Sequence, residues 1–588
     1  MKKIMSGNEA IARGAYEAGC AIASAYPGTP STEILENFAL YDEVYAEWAP
    51  NEKVGFEVAS GASIGGARTL TTMKHVGLNV AADPLFTMAY EGVNGGFVVV
   101  TADDPGMHSS QNEQDNRFYA PHAKIAMVEP SDSQECKDFM IEAYEISEKF
   151  DTVVLFRSTT RVSHSKSIVE LGERKKVEIK PYEKNTKKYV MIPANARSKH
   201  YEVEERLEAL RKYSNSCSLN KVEMNSNKIG IITSGISYQY AKEVFGESAS
   251  YLKIGMSYPL PDEMIKDFSE KVDKLYIIEE NEPYIENTVK AMGIPCIGRE
   301  KITNCGELNP EIIRKALLGE EKEITYSTDV VAPSRPPVLC PGCPHRGIYY
   351  AVSKLKNVIA AGDIGCYTLG MMPPLSVTDT VICMGASVSG GLGIEKARSL
   401  ADKDKKSKVF AFIGDSTFFH SGITGLINSI YNNIPIVTCI LDNRITGMTG
   451  HQQNPGTGKT LQEKVAPMID IETLVLSLGV KKENLRVVDP YKLAETEAAV
   501  KEAYNSTEPF VIITKQPCAL IKDVIKKRAN LKCKIDSEKC KRCKACLKTG
   551  CPALNFKDGV VSIDKNMCNG CEICKQTCKF GAIEKVRE

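Results

Sequence analysis

The chain is poor in the features that would assign it to several broad classes. It has one tryptophan, Trp48, in 588 residues, and its 74 Lys plus Arg are cancelled by 74 Asp plus Glu. A balanced chain presents no global field to a polyanion, so neither nucleic acid nor an anionic membrane is expected as a partner. Long apolar runs are missing as well. Phe97–Val100 and Ile436–Leu441 are strand-length, far short of the roughly eighteen residues that span a bilayer. The start, Met1-Lys2-Lys3-Ile4-Met5-Ser6, lacks an apolar stretch followed by a small-residue cleavage site, so a cytoplasmic location is expected. At roughly 150 residues per domain the length excludes a single small module and leaves room for about four.

Cysteine is plentiful: eight of the twenty fall between Cys540 and Cys578. In a chain that is not exported, such a cassette points to metal or redox chemistry rather than to disulfides. It reads Cys540-x2-Cys543-x2-Cys546-x4-Cys551-Pro552, then Cys568-x2-Cys571-x2-Cys574-x3-Cys578, one motif written twice about 28 residues apart. Two residues between thiolates let three sulfurs of one loop converge on a cluster, while the fourth ligates the other cluster. Paired structural zinc sites also use C-x2-C steps, but they need no third Cys at the same spacing. The cassette resembles a bacterial-type ferredoxin with two 4Fe-4S clusters. That resemblance implies Cys540, Cys543, Cys546 and Cys578 for one cluster and Cys568, Cys571, Cys574 and Cys551 for the other. The first run has four residues before its last Cys where three are usual, and Lys579, not proline, follows Cys578; neither departure removes a ligand. Cys533 is read as a spare or buried thiol.

Upstream, Lys408–Ile413 reads as a buried strand, then Gly414-Asp415-Ser416, a helix from about Ser421 to Tyr431, and a second strand, Ile436–Leu441, ending at Asp442-Asn443. A β-α-β unit puts both strand ends at one edge of a parallel sheet, where ligands of doubly wound folds bind. A carboxylate and an amide there suit Mg²⁺, which takes oxygen ligands and keeps phosphate oxygens in its shell. The turn, the interval of about 25 residues and the glycine-rich Met384–Gly393 segment before it are similar to the thiamin diphosphate signature. The resemblance implies that Asp415, Asn443 and the Ile445 carbonyl bind the metal, and that Gly414, Asp415, Ser416 and Asn443 bind the cofactor. Ser416 stands for the usual third glycine and Asp442 for the first Asn.

Thiamin enzymes pair such a domain with one that offers the cofactor pyrimidine a buried Glu. Asn51–Ala67 reads as a helix whose small residues allow close packing, with Glu52 in its first turn and Gly61 nine positions on; Glu52 matches the family position and Glu57 is the reserve. Before it, Tyr26-Pro27-Gly28-Thr29-Pro30-Ser31-Thr32 is a turn whose hydroxyls suit a helix cap. It resembles the substrate-touching turn of 2-oxoacid:ferredoxin oxidoreductases, with Thr29 in the contact position. Arg117 is a candidate bidentate partner for the substrate carboxylate.

Taken in order, and with Thr72–Val80 and Leu339–Arg346 added, these elements resemble the α subunits of the indolepyruvate-type 2-oxoacid:ferredoxin oxidoreductases over almost the full chain. The resemblance implies thiamin diphosphate-dependent oxidative decarboxylation of an aryl 2-oxoacid (indolepyruvate, phenylpyruvate or hydroxyphenylpyruvate) with coenzyme A, giving aryl-acetyl-CoA, CO₂ and reduced ferredoxin. It also implies a smaller β subunit, in an α2β2 assembly, and an anaerobic source. A pyruvate-type oxidoreductase or a non-oxidative thiamin decarboxylase is the alternative; a bare electron carrier would explain only the tail. Cys340, Cys343 and Cys366 occupy positions like those of a third, proximal cluster in related oxidoreductases, with Cys518 as a candidate fourth ligand; the alternative is that the Pro-flanked pair Cys340 and Cys343 are plain thiols in a turn.

The expected fold is multidomain α/β. A pyrimidine-binding domain fills 1–171, a solvated, charged linker with a short helix near Val203–Lys212 fills 172–226, and a transketolase C-terminal-like domain without catalytic role fills 227–325. The Mg²⁺-thiamin diphosphate domain follows over 326–528, and a two-cluster α+β ferredoxin-like domain over 529–588.

Overall fold

A computed structural model describes residues 1–321, 330–401 and 407–587, and the chain divides into two compact units, 1–329 and 330–588. The boundary expected at 325/326 lies outside the described residues.

The first unit is built on a seven-stranded sheet. Its strands are β1 (Ile22–Ala25), β2 (Tyr45–Trp48), β3 (Thr69–Lys74), β4 (Phe97–Asp103), β5 (Ala126–Val128) and β6 (Val154–Thr159), in the order β5-β6-β4-β3-β1-β2 and all parallel. Every residue of β3, β4 and β6 is buried, as a sheet covered on both faces requires. Helix α1 (Thr32–Phe38) leads from β1 to β2, and α2 (Glu52–Ile64) leads back across β1 to β3. The order therefore reverses between β1 and β3, and the carboxyl ends of those strands flank the crevice where ligands of such sheets bind. Asn51 caps α2 by accepting from the Val54 N–H at 2.9 Å. The small residues of α2 are used as expected: a Cβ on Gly55 would stand 3.2 Å from the Ala25 Cα.

The expected linker is not one. Residues 193–214 form a 22-residue helix, α3, which starts at Pro193 rather than near Val203 and buries Val203, Leu207 and Leu210. The basic run before it is bonded to the first domain. Arg174 donates to the Tyr16 and Cys20 carbonyls at 2.7 and 3.0 Å, and Lys180 to the Asn94 carbonyl at 2.8 Å. Solvation would have left these cations in water; each instead closes a backbone acceptor.

Beyond it, β7 (Lys221–Glu223), β8 (Ile229–Ser234), β9 (Ser250–Ile254) and β11 (Lys274–Ile278) form a second sheet in the order β11-β8-β9-β7, with only β7 antiparallel. The strands expected at 229–233 and 275–279 are β8 and β11. Between them β10 (Met256–Tyr258) crosses over and pairs with β5 as the seventh strand of the first sheet. One apolar core runs through both sheets, from Phe56 and Met73 to Ile277 and Ile285.

The second unit opens with helix α4 (His345–Val352) and a parallel five-stranded sheet: β12 (Val358–Ala361), β13 (Lys408–Gly414), β14 (Val437–Asp442), β15 (Leu485–Val488) and β16 (Phe510–Lys515), ordered β12-β13-β14-β16-β15. Helix α5 (Ala386–Ala401) carries the glycine-rich segment, and α6 (Ile423–Tyr431) joins β13 to β14 after a π-turn at Phe418–Gly422. The tail adds β17 (Leu531–Ile535) paired antiparallel with β20 (Ile583–Arg587), and a hairpin of β18 (Leu554–Lys557) and β19 (Val560–Ile563). This is a doubly wound domain followed by a small α+β domain, as expected. No helix among the described residues is long and apolar enough to cross a membrane.

Candidate functional site

In the second unit the carboxyl ends of β13 and β14 lie side by side, with Gly414 opposite Leu441 in the register. Gly414 is required there: a Cβ would stand 2.6 Å from the Tyr367 ring. Asp415 follows, 2% exposed, and its carboxylate accepts from the Asn454 side-chain amide at 3.1 Å. Burial, with the Asp442 carboxylate beside it, pushes Asp415 up to about 7. Arg444 lies 3.1 Å from Asp442, but Asp415 has no ion-pair partner among the described residues; a buried carboxylate so placed fits a bound cation, since an unpaired buried charge is costly. Asn443 is fixed by its own loop: its Oδ1 accepts from the Ile445 N–H at 3.2 Å, and its Nδ2 lies 3.3 Å from Nε2 of buried His345. Burial lowers His345 to about 4, so the ring is neutral and can accept from the amide. Arg444 between them has φ +60, in the left-handed region.

Ser416, the departure from glycine, has a use. Its hydroxyl accepts from the Thr446 hydroxyl at 2.8 Å, tying the turn after β13 to the loop after β14. Asn454 and Thr446 were not read from the sequence; both lie in a loop without periodic pattern, where only the nearby Asn-Arg-Ile step signals a site. The glycine-rich segment is held by Asp363, whose carboxylate accepts from the Gly385 and Ser387 N–H groups at 2.9 Å each.

Cys340, Cys343, Cys366 and Cys518 come together beside this edge. Cys343 N–H bonds the Cys340 carbonyl at 3.0 Å, and Cys518 N–H bonds the Asn443 carbonyl at 2.9 Å. Burial and then the neighbouring Cys518 and Cys340 push the Cys366 thiol up to about 11; burial, Cys340 and Asp415 raise Cys518. The turn is locked by Arg346, which donates to the Leu339 and Cys340 carbonyls and, across to the small domain, to the Thr549 carbonyl at 2.7 Å.

The small domain repeats itself with the 28-residue period of its cysteines. Cys540 N–H bonds the Asp536 carbonyl and Cys568 N–H the Asp564 carbonyl, both at 3.0 Å. Thr549 and Thr577 hydroxyls donate to the Cys546 and Cys574 carbonyls, both at 2.7 Å. Left-handed residues recur in step, Arg542 with Gly570 and Lys544 with Glu572. The charge couplings cross between the halves: beyond burial, Cys543 and Cys578 raise Cys546, while Cys551 and Cys568 help push Cys571 up to about 11. Cys533 is buried, its N–H donating to the Cys568 sulfur at 3.3 Å. Among the described residues no three His, Cys, Asp or Glu side chains close around a single ion; a cluster is instead held at its corners, one thiolate to each iron.

In the first unit, Glu52 starts α2 and is 5% exposed, packed against Gly77, whose Cβ would stand 2.7 Å from the Glu52 Cγ. Thr29 lies on the turn after β1. Ser31 does not cap α1 as expected: it is in the helical region and its hydroxyl donates back to the Gly28 carbonyl at 2.8 Å. Arg117 has another partner than a substrate. It is wholly buried, and its guanidinium donates to Asp115, to Glu279 at 2.6 Å, and to the Glu280 and Glu282 carbonyls. The guanidinium is held between Asp115 of its own loop and Glu279 at the end of β11, so the carboxylate-binding role expected for Arg117 is withdrawn.

Comparison with known proteins agrees with this arrangement. Residues 13–216 match the model of the pyruvate flavodoxin/ferredoxin oxidoreductase thiamine diphosphate-binding family, and residues 363–514 that of the C-terminal TPP-binding domain of thiamine pyrophosphate enzymes. The indolepyruvate oxidoreductase subunit IorA of Archaeoglobus fulgidus is 41% identical over all of this chain and 98% of its own length. Its namesake in Thermococcus kodakarensis is 39% identical, covering all of this chain and 97% of its own. The chain belongs to the family of indolepyruvate oxidoreductase IorA subunits, within the thiamin diphosphate-dependent 2-oxoacid:ferredoxin oxidoreductases.

Proposed function

We propose that this chain is the catalytic subunit of an enzyme that oxidatively decarboxylates aryl 2-oxoacids with coenzyme A. R-CO-COOH and CoA-SH give R-CO-S-CoA, CO₂, two protons and two electrons, and ferredoxin takes the electrons one at a time. Bound thiamin diphosphate supplies the sink for the electron pair left when CO₂ departs. Asp415, Asn443 and the Ile445 carbonyl hold Mg²⁺ at the diphosphate, Asn454 orients Asp415, and Glu52 holds the proton at the cofactor pyrimidine. Thr29 positions the 2-oxo group. A smaller β subunit in an α2β2 assembly completes the enzyme, which acts in the cytoplasm of an anaerobe.

The observation that carries the reading is the docking of the cysteine domain on the thiamin domain within one compact unit. Cys571 and Ile573 pack into the same core as Cys340, Cys343, Tyr349 and Tyr491. Gln576 bonds the Leu493 N–H and the Tyr491 carbonyl at 2.9 and 2.7 Å. In this reading the set Cys568, Cys571, Cys574 and Cys551 is the inner one, since Cys571 packs against that core, and Cys540, Cys543, Cys546 and Cys578 form the outer set. The four upstream thiols stand between the two and suit a third cluster; Cys366→Ser in the full chain is expected to lower bound iron by about four atoms per chain, and unchanged iron would leave them plain thiols.

The test of the reaction is an anaerobic assay of the chain with its partner subunit, following CoA-dependent viologen reduction by indolepyruvate, phenylpyruvate and pyruvate. Preference for the aryl acids is expected. Preference for pyruvate would move the substrate, and the absence of CoA-dependent reduction would move the chain to the non-oxidative decarboxylases.

A further inference from the structure

With Arg117 consumed by Asp115 and Glu279, the first unit needs another cation for an anionic substrate. One stands at the crevice. Lys74 is the last residue of β3, and Thr29 lies on the turn after β1, so the two flank the point where the strand order reverses. The turn is pressed onto the lysine: a Cβ on Gly28 would stand 3.0 Å from the Lys74 Cβ. Three residues on, Gly77 touches Glu52. Thr29, Lys74 and Glu52 therefore belong to one stretch of the sheet edge.

Lys74 is 9% exposed and makes one hydrogen bond, to the Ser109 carbonyl at 2.6 Å. An ammonium has three donors, so two are unspent. The nearby carboxylate, Asp104, is taken up by others: it accepts from the Ser109 N–H at 2.9 Å, the Ser110 hydroxyl at 2.5 Å and the Thr160 hydroxyl at 2.7 Å. Next along the chain, His75 is wholly buried, with Asn112 as its polar neighbour. Two unsatisfied donors on a buried cation are costly unless something polar enters. Burial, only partly offset by Asp104, lowers Lys74 to about 8, which an anion in contact would reverse.

We propose that Lys74 is the carboxylate-binding residue of the 2-oxoacid site, acting beside Thr29, with His75 lining the same subsite. The proposal rests on the 2-oxoacid reading above and supplies the residue that Arg117 does not. It assigns Lys74 to binding: substrate is held by its carboxylate before CO₂ leaves.

The test uses the assembled holoenzyme with Lys74→Met, which keeps the length of the side chain and removes its charge. Loss of one charge-assisted contact is expected to raise KM for the aryl 2-oxoacid about 10- to 100-fold. Calorimetric affinity for the matching 3-arylpropanoate, which carries the carboxylate and no keto group, should fall by a similar factor. Affinity for the neutral arylpropanamide and for thiamin diphosphate should not change, and Lys74→Arg should recover part of the carboxylate affinity. Equal loss for acid and amide, or no loss for either, overturns the proposal while parent turnover leaves the functional reading standing. A parent that binds the propanoate through Lys74 yet oxidises no 2-oxoacid supports the anion subsite and overturns the functional reading instead.

Discussion

The two largest sheets of this chain present different chemistry at the same topological edge. At the edge of the five-stranded sheet, Asp415 and Asp442 are adjacent acids; an amide hydrogen-bonds Asp415, and Arg444 approaches Asp442 at 3.1 Å. At the edge of the seven-stranded sheet the acids have arginine partners, Arg157 for Asp103 and Glu129 and Arg117 for Asp115 and Glu279, although burial still raises Asp103 and Glu279, and Lys74 is left with donors to spare. At one edge Asp415 has an amide and no ion-pair partner among the described residues; at the other Lys74 has donors and no acceptor but a carbonyl. A doubly wound fold fixes where a ligand sits; the residual charge at each edge decides what kind it is.

The comparison breaks most sharply at Asp415. Asp415→Ala is expected to abolish turnover and Mg²⁺-dependent thiamin diphosphate binding, read by calorimetry with and without the metal; retained binding would mean that the acidic edge is not the metal site. Arg117→Met comes next and in a different currency. Removing one partner of a buried ion pair costs about 3–5 kcal/mol, so the thermal transition should fall by several degrees while the diphosphate affinity of the folded protein stays. Turnover lost without any loss of stability would return Arg117 to the substrate. Asn454→Ala should weaken Mg²⁺-thiamin diphosphate by about 10- to 100-fold, the usual effect of removing a group that orients a ligand. The smallest change is Ser416→Gly, which restores the more common residue and removes the bond from Thr446. A loss of about 0.5–1.5 kcal/mol of stability is expected, with KM for the 2-oxoacid unchanged.

How far the sequence could be read follows from how local each feature is. The cysteine cassette was legible because its cysteines recur in step, and the same period separates the hydrogen-bonded turns at Asp536 and Asp564 and the hydroxyl bonds of Thr549 and Thr577. Strands β13 and β14 and the turn at Asp415 were legible from continuous apolar runs that end at polar residues. Arg117 was misread because its partner Glu279 lies 162 residues away, and nothing in the local pattern distinguishes a buried arginine from a solvated one. The segment 172–226 was misread for a related reason: α3 is strongly polar, its stripe of Val203, Leu207 and Leu210 is thin, and Arg174 is held by carbonyls that sequence cannot locate. Lys74 sat in a recognised stretch, yet its importance depends on strand order, which only the topology supplies.

The central claim is that electrons released at the thiamin site leave through the cysteine domain docked against it. Rapid-freeze electron paramagnetic resonance tests it most directly: the anaerobic holoenzyme is mixed with indolepyruvate in the absence of ferredoxin and any other acceptor. Signals of reduced 4Fe-4S clusters should grow within a turnover, absent in Asp415→Ala and diminished in Cys571→Ser. Oxidised clusters that stay silent while CO₂ is released would contradict it, and would make the tail a bystander to a non-oxidative decarboxylase.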